Sequence, residues 1–127
     1  MEWRVRAIRG ATTASANTAE AIRDAVTELL NELDTKNNLD PTLMVSVTFS
    51  VTRDLDAIFP AAIARDRPNW QHVPLLDVQQ MHVAGSLERC IRVLIHINVA
   101  EPLMPIHHTY LRKAKNLRPD WSVPEVV

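Results

Sequence analysis

The stretch "LERCIRVLIHINVA", residues 87–100, decides how this chain folds. Its odd positions Ile91, Val93, Ile95, Ile97 and Val99 are all β-branched aliphatics, while the even positions are Cys90, Arg92, Leu94, His96 and Asn98. Alternation with a period of two is the pattern of a strand with one face in a core. The strand reads as a central one, yet Arg92 stands near its middle. Burying a bare guanidinium is costly, so Arg92 must either be paired or face a wet cavity. An arginine held on a rigid strand inside a cleft is an anion clamp.

Working outward, "WRVRAIR" at 3–9 reads as a first strand that ends at Gly10. Ile22, Ala25, Val26, Leu29, Leu30 and Leu33 then fall on one stripe of a helix, with Asn17 or Thr18 as its cap. "NNLDP" marks a turn. In "MVSVTFSVT", Val45, Val47, Phe49 and Val51 share one face of a second strand. "FPAAIARDRP" predicts a short helix with Pro60 in its first turn, ending before Pro68. Pro74 keeps "WQHVPLLDVQQMHV" from regular central pairing. "IHHTYLRKAKNLRPDW" is read as a fifth strand with a turn at Pro119. The expected class is α/β (α+β): one domain over 1–122, a mixed sheet with helices on one face, and a loose tail at 123–127.

Composition removes several functions. With 14 basic against 15 acidic residues the net charge is −1, which argues against a nucleic-acid or anionic-membrane surface. No run approaches the apolar length needed to span a bilayer, and the N-terminus lacks a signal-peptide core. The single cysteine, Cys90, allows no intrachain disulfide and no cysteine metal site. A cytoplasmic protein is therefore expected. The two glycines, Gly10 and Gly85, build neither a P-loop nor a dinucleotide fingerprint.

The candidates for chemistry are few. Arg9 ends the first strand, Arg92 stands mid-strand, and Arg118 precedes a proline. The histidines, His72, His82, His96, His107 and His108, have no metal-site spacing and read as exposed or core-edge residues. "DVQQ" adds Asp77 and Gln80, and Tyr110 is the only tyrosine. Several arginines, a phenol, an amide and a carboxylate, with no evident nucleophile, metal or cofactor cradle, suit a small polyanion and a reaction driven by electrostatics.

"RAIRGATT" (6–13), "FSVTRDLDAIFPAAIAR" (49–65), "VPLLDVQQM" (73–81), "GSLERCIRVLIH" (85–96) and "HHTYLRKAKNLRPDWS" (107–122) together resemble, in order, the chorismate mutases of the small AroH type. The resemblance implies a homotrimer of pseudo-α/β-barrel subunits that converts chorismate to prephenate, without metal or cofactor, at clefts between neighbouring subunits. It implies that Arg92 donates to the substrate's ether oxygen and that Arg9 and Tyr110 meet a carboxylate, with Arg118 near the mouth. Phe59, Ala61, Arg65, Leu75, Leu76 and Asp77 would come from the adjacent subunit. Three positions depart from the family pattern. Gln80 replaces a common glutamate that accepts from the ring hydroxyl, Asp77 stands where some members have cysteine, and Ala62 replaces a lysine. The resemblance suggests that the Asp77 carboxylate compensates for the charge missing at Gln80. The alternatives are a catalytically weak trimeric module that binds a small dicarboxylate and a trimeric imine deaminase of related fold, whose motifs do not fit.

Overall fold

The computed structural model describes residues 2–100 and 105–120; the tail expected at 123–127 lies outside them. Five strands, β1 (Trp3–Thr13), β2 (Met44–Val51), β3 (Leu75–Gln79), β4 (Cys90–Ala100) and β5 (Thr109–Tyr110), form one mixed sheet. Their order is β3-β2-β4-β1-β5. The strand read first from the sequence is thus the central one. It pairs antiparallel with both β1 and β2, while β3 and β5 add parallel edges.

The aliphatic face of β4 explains the helices. Ile91, Val93 and Ile95, with Ile8 of β1 and Val47 and Phe49 of β2, form an apolar surface. Helix α1 (Ala19–Asn37) covers it with the predicted stripe, in which Ala25, Val26, Leu29, Leu30 and Leu33 are fully buried. Each of these valine and leucine side chains stabilises the fold by about 1.5–3 kcal/mol relative to exposure. Thr18 is the cap, accepting from the Ala21 N–H, and Asn38 ends the helix in the left-handed region at φ 51°. The other candidate, Asn17, instead accepts from the N–H groups of Asp56 and Ala57 and donates to the Asp56 carboxylate. That ties the start of α1 to the loop after β2. The short helix α2 (Pro60–Arg65) opens with Pro60 as expected and packs on the same side of the sheet.

Three expectations need correction. The first strand does not stop at Gly10 but runs to Thr13. A Cβ on Gly10 would stand only 3.0 Å from Leu33 Cδ1 and 3.1 Å from Val93 Cγ1, so glycine here admits the helix rather than ending the strand. Val45 is exposed and Met44 buried in its place, because the pairing slips by a residue between Met44 and Ser46. A bulge of this kind reverses which side chains face inward. The fifth strand is only Thr109–Tyr110, and Arg112–Asn116 turn into a 3₁₀ helix.

Gly10→Ala should lower stability by about 1–3 kcal/mol through overpacking against α1. Urea unfolding checks this, and an unchanged midpoint would contradict the close approach.

Candidate active site

The polar face of β4 looks away from both helices. Its register places Arg92 beside Ser50 of β2 and Ala11 of β1, and Leu94 beside Thr48 and Arg9. Arg9, Thr48, Ser50, Arg92 and Leu94 line an open depression of about 400 Å³. Arg92 is half-buried, and its Nε is buried without a hydrogen-bond partner among the described residues. Its guanidinium meets the Cys90 thiol; burial pushes that thiol's pKa up, against the hydrogen bond and charge of Arg92. The thiol therefore stays neutral beside the arginine.

Tyr110 stands opposite Ala11, so Tyr110, Ala11, Arg92 and Ser50 form a row across four strands. Arg118, beyond the 3₁₀ turn, donates from Nε and Nη2 to the two oxygens of Asp120 at 3.0 and 2.8 Å, and it lies within electrostatic reach of Tyr110. The Arg9 N–H donates to His108 Nδ1 at 2.9 Å, a side chain filling a place in the ladder beside β5. Burial pushes the His108 pKa down, and the charges of Arg9, Arg118, Arg6 and His107 push it the same way. A neutral ring is what an Nδ1 acceptor requires.

The remaining candidates lie at the other edge. In β3, Leu75 and Asp77 pair with Val47 and Phe49 and share their helix side, whereas Leu76 pairs with Thr48 and shares the open side with Arg92. Asp77 Oδ1 accepts from the Ala61 N–H at 3.0 Å at the start of α2. Desolvation raises the Asp77 pKa, opposed by that hydrogen bond and by the charge of Arg65. This carboxylate, expected to stand in for the charge missing at Gln80, is engaged on the far side of the sheet. Phe59 precedes α2 and is 70% exposed; with Asp77 it lines a cavity of about 610 Å³ under the loop after β2. The Gln80 N–H donates to the Val51 carbonyl at 2.8 Å, while its Oε1 is buried with no partner among the described residues.

The predicted residues thus fall into two groups. Arg9, Arg92, Tyr110 and Arg118 come together around β1, β4 and β5. Phe59, Ala61, Arg65, Leu75, Leu76, Asp77 and Gln80 sit on β3, α2 and their flanks. Leu75 and Asp77 face the helix side with α2, so the sheet itself stands between them and Arg92. His108, which anchors Arg9, escaped the sequence reading because an adjacent histidine pair carries no period that assigns either ring a partner.

The family model for chorismate mutase type I matches residues 5–121. The chain belongs to that family. It is 40% identical over 119 residues to chorismate mutase AroH of Bacillus subtilis (strain 168), covering 94% of each chain. It is 44% identical over 117 residues to chorismate mutase AroH of Thermus thermophilus, covering 91% of this chain and 95% of the other. A solved chorismate mutase from Clostridium thermocellum superposes with a TM-score of 0.81 at 45% identity, over 87% of this chain and 98% of that one.

In this chorismate mutase family member, the depressed His108 pKa fixes the sign of a pH effect. The stabilisation is fully present above the ordinary histidine pKa of about 6.5 and is lost as pH falls through the folded value. Urea midpoints at pH 7.5 and 5 should fall more steeply for the parent than for His108→Asn, which cannot titrate. Equal slopes would remove His108 from the account.

Proposed function

We propose that the chain converts chorismate to prephenate in clefts shared between the subunits of a homotrimer, with Arg92 as the catalytic residue. The observation that carries this reading is a pair of complementary buried atoms. Arg92 Nε, a donor, and Gln80 Oε1, an acceptor, are two of five buried side-chain polar atoms without partners among the described residues. Leaving such an atom unpaired costs about 1–3 kcal/mol. Chorismate offers partners for both: an ether oxygen that accepts and a ring hydroxyl that donates.

The chemistry asks little else of the protein. In the rearrangement the ether C–O bond breaks as a C–C bond forms, so no proton moves and no cofactor is needed. Negative charge grows on the ether oxygen, and a guanidinium aimed there binds the transition state more strongly than the substrate. One such donor supplies about 3 kcal/mol. Arg9 and Tyr110 hold one substrate carboxylate, and Arg118 closes the mouth. Fixing the flexible side chain over the ring removes the entropy of finding the reactive conformer. The setting is the cytoplasmic synthesis of phenylalanine and tyrosine.

Two features support the shared cleft. Phe59, Arg65 and Asp77 cannot reach Arg92 of their own subunit through the sheet. Leu76 is 59% exposed, and Phe59, Val78, Met81 and Val83 are exposed along the same edge. An apolar edge like this is suited to a partner, and a ring of three copies uses one head-to-tail contact three times.

Chorismate turnover tests the reading. Arg92→Ala should lower kcat by about a hundred- to a thousandfold. Absence of turnover in the parent would leave a dicarboxylate-binding module. Mixing Arg92→Ala subunits with Arg65→Ala subunits should restore roughly a quarter of the sites by random assembly of a closed ring. No restoration on mixing would place both arginines in one subunit's site.

A further inference from the structure

Arg92 points into the open depression from the third position of β4, so its aim depends on where that strand begins. The start is heavily tied. Arg89, just before β4, has φ 47°, in the left-handed region. A non-glycine residue persists there only when its surroundings over-determine it. Its N–H donates to Asp54 Oδ2 at 2.9 Å, its carbonyl accepts from the Ala14 N–H at 2.9 Å, and its Nε donates to the Ala14 carbonyl at 3.2 Å. Cys90 then donates its N–H to Thr52 Oγ1 at 3.0 Å and accepts from the Thr52 N–H at 3.1 Å. The Thr52 hydroxyl in turn donates to Asp54 Oδ1.

One carboxylate therefore holds two consecutive residues of the chain, Arg89 directly and Cys90 through Thr52. The Cys90 thiol in turn touches the Arg92 guanidinium on the same face. Burial raises the Asp54 pKa, but the hydrogen bonds from Thr52 and from the Arg89 and Asp54 N–H groups, with the Arg89 charge, outweigh it and lower the net value. None of these residues faces the depression that Arg92 enters.

We propose that Asp54, acting through Thr52 and Cys90, is a positioning residue that fixes the register and aim of Arg92. A slip of one residue would turn Arg92 to the helix side, and a smaller displacement would misdirect its planar fork. The proposal rests on Arg92 donating to the ether oxygen.

The test is steady-state kinetics on chorismate with Asp54→Ala, Thr52→Val and Thr52→Ser, each beside a urea midpoint. Asp54→Ala should lower kcat about 10- to 100-fold, the cost of a displacement of about 1 Å, and leave KM nearly unchanged. Thr52→Val, which removes only the hydroxyl, should lower kcat in the same way, and Thr52→Ser should retain it. In an Arg92→Lys background, Asp54→Ala should cost no more than about twofold, within the scatter of independent measurements, because an ammonium on a flexible stem does not depend on a fork's orientation. Should Asp54→Ala fail to fold, Thr52→Val carries the same comparison. Unchanged kcat per folded protein, or an equal loss in both backgrounds, overturns the proposal. If Arg92→Ala keeps its rate, the site assignment itself falls and the clamp falls with it. If Arg92→Ala loses its rate while Asp54→Ala and Thr52→Val keep theirs, only the clamp is wrong.

Discussion

The two faces of β4 require opposite surroundings, and most of the structure follows from that. Ile91, Val93 and Ile95 need an apolar cover, which α1 supplies. Arg92, one residue along, cannot lie under such a cover, since a guanidinium in an apolar interior is stable only when paired. Both helices therefore lie on one side of the sheet; on the other, Ala11, Tyr110 and Ala114 form a small apolar cluster toward β5, and the surface around Arg92 and Ser50 stays open. Because β4 is central, ladders to β2 and β1 hold it from both sides and stiffen the strand that carries Arg92. Stiffness matters to a donor whose value lies in being placed before the charge develops.

Sheet order then decides which residues can cooperate. Ala11 lies beside Arg92 on β1, with Tyr110 next in the row on β5, and Ser50 lies beside it on β2, the other flank of β4. Asp77 is excluded by parity. One residue on from Leu76, it turns to the helix side and accepts the Ala61 N–H. Its negative charge is thus engaged in holding α2. Gln80 presents a neutral oxygen with no such engagement.

Much of this was legible in the sequence, and the reasons for the exceptions are physical. The period of β4 and the stripe of α1 are repeated signals, since every residue of a regular element restates them. The side of the sheet on which Arg92 stands follows from that period alone. Val45 departs from the alternation because a bulge is a single backbone event with no periodic trace. The fifth strand is shorter than its sequence suggests because two residues of ladder leave no pattern to count. Gly10 looked like a stop when it marks close packing, a distinction that depends on Leu29 and Leu33, which lie far along the chain. Asp77 needed the register of β3 against β2, which no local pattern supplies. The roles of Thr52, Asp54 and His108 rest on partners 35 to 99 residues away.

The division of the site between two edges also links assembly to chemistry. A single subunit carries the donor in one group of residues and the α2 residues in another, with a β-sheet between them. In the proposed trimer, the exposed apolar edge of β3 that costs solvation in the monomer becomes the wall of a neighbour's cleft. Covering it would bring Arg65 toward the substrate that the proposal assigns to Arg9 and Arg92. Substrate that touches two subunits binds the assembled state alone, and by mass action it stabilises that state. With basic and acidic residues nearly balanced over the chain, the field at the cleft cannot come from net charge. In the proposed cleft it would come from where the strands stand their arginines, and from the neighbour's apolar edge, which would keep water, and therefore screening, away from them.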